Sequence, residues 1–255
     1  MPQSKTPADS TFAALAATLG DALPRQPEDA SDPTTPVAAT VVMVRDSDDG
    51  PEILLIERPD RGSFAGAWVF PGGKLETGDH RAGDEGEELP ARRAGTRETF
   101  EETGLIVDPA SLVALSTWDP PPGLPLRIRT WFFVAHAHEG TITLAADEAV
   151  ASAWLRPLEM LERHRNGEVT LYPPTWITLH TLAHHPDANS LVTATRLAGV
   201  QQFETIARRG DDGPIMLWQE DAEYHGDAAP AASRARHRIT LGALPWVYTR
   251  EVDEA

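Results

Sequence analysis

Glu98, Glu101 and Glu102 fall within five consecutive positions, directly after Arg97 and just ahead of Gly104. Successive residues of an α-helix turn by about 100°, so these three carboxylates project within an arc of roughly 100°. The same periodicity directs Phe100 to the opposite side, toward a core. Like charges at this spacing repel by about 0.2–0.5 kcal/mol per pair on an exposed face. A hard divalent cation removes that repulsion, because Mg2+ and Mn2+ favour oxygen ligands. A second stretch, FPGGKLETGD (residues 70–79), carries the close-turning pair Gly72 and Gly73 and ends on the acid Asp79. Taken alone, the glutamates are better described as a solvated acidic helix face. The glycine turn and Arg97 shift the reading to a site for metal and phosphate.

These residues need elements to hold them. VAATVVMVRD (37–46) and EILLIER (52–58) read as two β-strands of a hairpin. Pro90 suits the first turn of a helix and Gly104 its C-terminal cap, which predicts a helix over about 91–103. SLVALSTWD (111–119) and LRIRTWFFVAHA (126–137) read as strands, and TITLA (141–145) as another short one. Residues 152–167 pass from strand into a helix closed by Gly167, and 173–185 form a further helix behind two prolines. The last fifty residues read as helix, a DDGP turn and short strands in alternation. Strands and helices mix without regular βα alternation, which predicts an α+β fold.

Residues 1–36 are rich in Pro, Ala, Thr, Ser and Asp and read as a partly disordered arm or tail. Phe12, Leu15, Leu19 and Leu23 within them keep helical spacing. The organisation expected is therefore an arm (1–36), a core (37–185) and a C-terminal extension packed on it (186–255).

The net charge of −17, from 22 basic and 39 acidic residues, opposes binding to nucleic acid or anionic lipid, and no strong basic cluster offsets it. A phosphate substrate would then need local positive charge, which metal held by carboxylates supplies. No apolar run is long enough to cross a membrane. The chain has no cysteine, which excludes disulfides and thiolate metal sites, and the N-terminus lacks the apolar core of a secretory signal. A cytoplasmic enzyme is the expectation.

The motif resembles the box of the Nudix hydrolases: G, five residues, E, seven residues, then R-E-U-x-E-E-x-G-U, with U bulky and apolar. Gly73 is followed by five residues and then Asp79, one carbon shorter than the family's glutamate. Arg97-Glu98-Thr99-Phe100-Glu101-Glu102-Thr103-Gly104-Leu105 supplies the second half, with Thr99 at an apolar position. Seventeen residues separate Asp79 from Arg97 where the family has seven. An insertion of that size costs about 1 kcal/mol or less in loop closure, so both halves can still meet, although the role of Asp79 is left open. The resemblance implies a Nudix fold, an α/β/α sandwich with a mixed sheet. It further implies Mg2+ or Mn2+ held by Glu98, Glu101 and Glu102 with the Gly73 carbonyl. Arg97 would orient a glutamate, and Glu98 or Glu148, with Asp147 as a local rival, would serve as general base. The substrate class implied is a small nucleoside diphosphate linked to a further group. Homodimers are common in the family.

LLIERPDRGSFAGAWVFPGG (54–73), RETFEETGLIV (97–107) and VTLYPPTWITLHTL (169–182) resemble the CoA diphosphatase branch, whose box is also interrupted. That resemblance implies cleavage of CoA or acyl-CoA to 3′,5′-ADP and a 4′-phosphopantetheine derivative. Arg58, Arg61, Lys74, Arg127 and Arg129 are the candidates to meet its phosphates, each also readable as a surface residue. ADP-ribose, NADH, dinucleoside polyphosphates and nucleoside triphosphates stay open as substrates. A non-catalytic nucleotide-binding regulator is the reading of another class; such modules lose box acids, and all three glutamates are present. Trp118 and Trp131 read either as base-stacking or as core residues.

Overall fold

The run VAATVVMVR is β1 (Val37–Arg45) of the computed structural model, and it is apolar on both sides. Val41 and Met43 enter one core, while Val42 and Val44 enter another across the sheet. A strand buried on both faces belongs at the centre of a layered sheet. The structure describes residues 17–19, 22–26, 28–29, 32–62, 64–125, 127–138, 140–225 and 233–253.

β2 (Glu52–Glu57) returns antiparallel to β1, with Val44 opposite Ile53. Both β3 (Trp68–Val69) and the later β7 (Ala151–Leu155) pair with β2. β4 (Gly72–Lys74) pairs with the first half of β1, setting Gly73 opposite Ala39. On the other side of β1 lies β6 (Arg129–His136), parallel to it, and then β5 (Val113–Asp119), antiparallel to β6. β8 (Gln201–Glu204) closes that edge parallel to β5, so the eight-stranded sheet is mixed.

α1 (Glu88–Thr103) covers one face of the sheet. Gly95 brings it close: a Cβ there would sit 3.1 Å from the Val41 side chain. α2 (Pro157–Arg165), α3 (Pro173–Leu182) and α4 (Ala188–Ala198) cover the other face, through Met160, Ile177, Leu179 and Leu191. This is the expected α+β sandwich with a mixed sheet.

A second, antiparallel sheet follows, built from β9 (Ile206–Gly210), β10 (Gly213–Leu217), β11 (Arg236–Thr240) and β12 (Val247–Glu251). Met216, Trp218, Ile239 and Trp246 bring it into the same core as α2–α4. Trp118 proves to be a core residue, stacked on Phe203 with ring centres 3.9 Å apart.

Three expectations change. Among the described residues no helix follows α4, so the alternation expected near the C-terminus is strand and turn. TITLA forms no strand; Thr143 and Ala145 instead donate their amides to the carbonyls of Thr103 and Glu102, tying this segment to the end of α1. Phe100 is 53% exposed, because the small residues Ala91, Ala94, Gly95 and Thr99 form the buried stripe of α1. Thr99, a poor match to an apolar position, is nonetheless fully buried and satisfies its hydroxyl on the Gly95 carbonyl at 2.7 Å. In the N-terminal segment, Phe12 and Leu15 lie outside the described residues, whereas Leu19 is buried in the larger core.

Candidate active site

Helical phase decides which glutamate is buried. Glu102 lies on the stripe that Ala91, Ala94, Gly95 and Thr99 press against the sheet, and it is 1% exposed. A carboxylate taken out of water needs partners at both oxygens. Arg58, at the end of β2, donates to Oε1 at 2.6 Å, and the Gly72 amide donates to Oε2 at 2.8 Å. Burial pushes the Glu102 carboxyl up to about 8 even so; Gly72 and Arg58 oppose the rise, and the charges of Glu98 and Glu148 add to it.

The glycine turn fits around these acids. A Cβ on Gly72 would collide with the Ala39 carbonyl and with Thr40, and a Cβ on Gly73 would overlap the Glu98 carboxyl group. Two glycines are therefore required, one for the approach of the turn to β1 and one for the approach of Glu98 to the turn. Burial also raises Glu98, against the opposing hydrogen bond from Arg97.

Arg97 is the organising cation. Its guanidinium donates to both oxygens of Asp79 at 3.2 and 3.0 Å, to Glu98 at 2.8 Å, to Glu101 at 2.9 Å and to the Lys74 carbonyl at 3.0 Å. Asp79 thus meets the helix across the insertion. It is 4% exposed; burial opposes its charge, but Arg97 and the Glu76 amide hold its carboxyl below the usual aspartate range. α1 begins at Glu88 rather than near 91, and residues 80–87 form the loop that carries the rest of the inserted length. One turn before Arg97, Arg93 donates to the Asp79 carbonyl at 2.6 Å and pairs with Asp84 in the inserted loop.

Glu148 completes the cluster from a different element. The loop that carries it is pinned by the Ala145 amide to Glu102 and by the Val150 amide to Glu57. One carboxylate oxygen from each of Glu98, Glu102 and Glu148 then lies within 4.8 Å of the others. Glu101 stands beside this cluster, half exposed and turned to Arg97. Three carboxylates at that separation, with raised proton affinity at the two more buried ones, form an all-oxygen donor set that suits a hard divalent cation.

The remaining candidates are distributed as follows. Arg58 serves Glu102 and stands 3.9 Å from Glu148. Arg61 is exposed on Asp147 at 3.1 Å, and Lys74 is exposed on β4. Arg127 and Arg129 are not part of the cluster: Asp119 is shared by both, with Asp29 and Asp32 on Arg127 and Glu87 on Arg129. Arg25 joins the same carboxylate at 3.0 Å. Sequence reasoning passed over Asp119, Arg93 and Asp84; the pairs Arg93–Asp84, Arg127–Asp119 and Arg129–Asp119 span eight to ten residues across a loop or turn, a spacing that matches neither helical nor strand periodicity.

Ahead of the glycine turn, the loop between β2 and β3 is closed at its neck by the Arg58 amide on the Ala67 carbonyl at 2.9 Å. At its tip Phe64 holds a left-handed backbone (φ 61°), which costs a residue with a Cβ about 1–2 kcal/mol.

Residues 34–173 match the NUDIX domain family. The chain belongs to the Nudix family. It is 33% identical over 111 residues to the CTP pyrophosphohydrolase of Escherichia coli (strain K12), across 44% of this chain and 71% of that protein. A NUDIX hydrolase from Alicyclobacillus acidocaldarius shares the fold with a TM-score of 0.56 at 23% identity, over 62% of this chain and 96% of the other. This Nudix protein is an enzyme of the diphosphatase class. No described helix is long and apolar enough to cross a membrane.

Proposed function

We propose that this Nudix enzyme hydrolyses the diphosphate link of a small nucleoside diphosphate derivative, using Mg2+ or Mn2+ at Glu98, Glu102 and Glu148. The observation that carries the reading is the convergence of those three carboxylates on the glycine turn, two from one helix and one from a distant loop. The resemblance to the Nudix box adds Glu101 and the Gly73 carbonyl to this oxygen donor set. When bound, the metal would neutralise phosphate oxygens and acidify a water molecule.

The chain's own residues do the rest. Arg97 locks Asp79, Glu98 and Glu101 into one array, so the stripe is preorganised before substrate arrives. Arg58 and the Gly72 amide fix both oxygens of Glu102. Glu148, partly exposed and attached to a separate loop, would offer one carboxylate oxygen to the metal and keep the other to take a proton from the attacking water, with Glu98 as the alternative base.

For the substrate we put CoA or acyl-CoA first, on the sequence pattern of residues 54–73, 97–107 and 169–182. A nucleoside triphosphate is the second reading, favoured by the likeness to a CTP pyrophosphohydrolase. The test is hydrolysis of CoA, acetyl-CoA, CTP, ADP-ribose, NADH and a dinucleoside polyphosphate with either metal. Glu102→Gln and Glu148→Gln are expected to lose at least about 100-fold in kcat, roughly 2.7 kcal/mol of barrier. Release of 3′,5′-ADP supports the first reading, and release of CMP the second. Failure to cleave any of the six with either metal would overturn the diphosphatase assignment.

A further inference from the structure

Phe64 combines two features that folding alone does not require. Its backbone lies in the left-handed region, where a bulky side chain is rare, and its ring is 41% exposed. Such an outlier persists where the surroundings impose it, and outliers of this kind gather at ligand clamps. The ring is not loose: it meets Tyr172 edge to face, with centres 4.7 Å apart and planes at 85°. Tyr172 is itself half-buried, immediately before α3, in a segment tied to the loop's far end by the Trp68 amide on the Thr170 carbonyl.

The loop's attachments connect this pair to the carboxylates. Its first residue, Arg58, holds Glu102, and Arg61 pairs with Asp147, the neighbour of Glu148. Ala67 at the neck is three residues from Phe64, so the tip stands within about 10 Å of the neck along the chain. Two perpendicular rings form a corner. A planar heterocycle stacked on one presents its edge to the other, and both contacts are favoured geometries.

The geometry points to Phe64 and Tyr172 as the subsite that receives the nucleobase, with the left-handed backbone at Phe64 holding its ring out to meet it. The inference rests on the diphosphatase reading above, and it fits every substrate weighed there, since each carries a base. Stacking is tolerant of base identity, so the corner supplies affinity rather than choice between purine and pyrimidine.

The test is calorimetric binding, with Mg2+ present, of α,β-methylene-ADP and of methylenediphosphonate, which lacks the nucleoside. In Phe64→Ala the nucleotide is expected to bind at least about tenfold more weakly, the scale of one lost base stack, while methylenediphosphonate changes by less than about twofold. Phe64→Trp should retain nucleotide affinity. Phe64→Gly should lose it while melting no lower than the wild type, because glycine accepts the left-handed backbone without strain. The inference fails alone if wild type binds the nucleotide no more tightly than methylenediphosphonate. It also fails alone if the Ala and Gly variants keep nucleotide affinity, or if they lose both ligands equally. If wild type binds neither ligand, the diphosphatase reading falls and takes this subsite with it.

Discussion

Asp79→Asn keeps the side-chain volume and removes the charge that faces Arg97. Asp79 is almost fully enclosed and Arg97 is 24% exposed. Deleting one partner of a buried pair costs about 3–5 kcal/mol. Arg97 keeps Glu98, Glu101 and the Lys74 carbonyl, and its exposed part is screened by water, so the expected loss is about 2 kcal/mol. For a chain of this size that lowers Tm by about 4–8 °C. The pH dependence has a fixed sign. The folded carboxyl lies below its unfolded value, so its contribution is complete above about pH 5 and is lost as pH falls through the folded value. Melts of both proteins from pH 7 to pH 3 should therefore show the gap closing on acidification. At pH 7 the metal concentration for half-maximal activity should also rise, because Glu98 shares the same guanidinium. A Tm change below about 1 °C at pH 7, or a gap that ignores pH, would refute the view that Asp79 anchors the site across the insertion.

Gly73→Ala should leave the fold nearly intact while displacing Glu98, because the overlapping atoms are the far end of a flexible side chain. A kcat loss of about 10–100-fold with a Tm change under about 3 °C is expected from kinetics and melting. Asp119→Ala removes the carboxylate that Arg25, Arg127 and Arg129 share, while Arg25 keeps its carbonyl acceptors, Arg127 keeps Asp29 and Asp32, and Arg129 keeps Glu87; denaturant titration should give a loss of about 2 kcal/mol. His164 is buried and its imidazole is held down to about 4, by burial. The unfolded chain takes up the proton first, so stability should fall by about 2–3 kcal/mol as pH drops from 6.5 toward 4, and His164→Leu should show a shallower slope in the same titration.

The parts of this site that were legible in the sequence are those set by local periodicity. Glu98 and Glu102 sit together because helical phase places them there, and Gly104 ends the helix in a left-handed cap (φ 74°). Phase alone misplaced Phe100, because the buried stripe is made of small residues that a reading of bulky apolar positions overlooks. Asp79 and Arg97 could not be paired from spacing, since a loop over 80–87 and the first turns of α1 lie between them and only the folded loop brings them together. Arg127 and Arg129 read as phosphate ligands from their charge. Asp29, Asp32 and Glu87 are hidden by sequence distance, and Asp119 faces both arginines only through the folded turn between β5 and β6. The short strands and the DDGP turn of the second sheet were legible, as β9 and β10 pair across that turn, but their assembly into a four-stranded sheet was not.

β8 lies beyond residue 173, where the family match ends, yet it forms an edge of the catalytic sheet, and Phe203 within it stacks on Trp118. The active-site layer and the region after it should therefore melt in one calorimetric transition rather than two. A chain cut at the family boundary would lose α3, α4 and β8 and so uncover the flank of β5, the ring of Trp118 and the core face of α2, and self-association should follow. In this protein the familiar module is not a portable unit. Its cooperativity is borrowed from the sequence that comes after it, and substitutions at Phe203 or Trp218, far from any phosphate, should be felt as lost active enzyme.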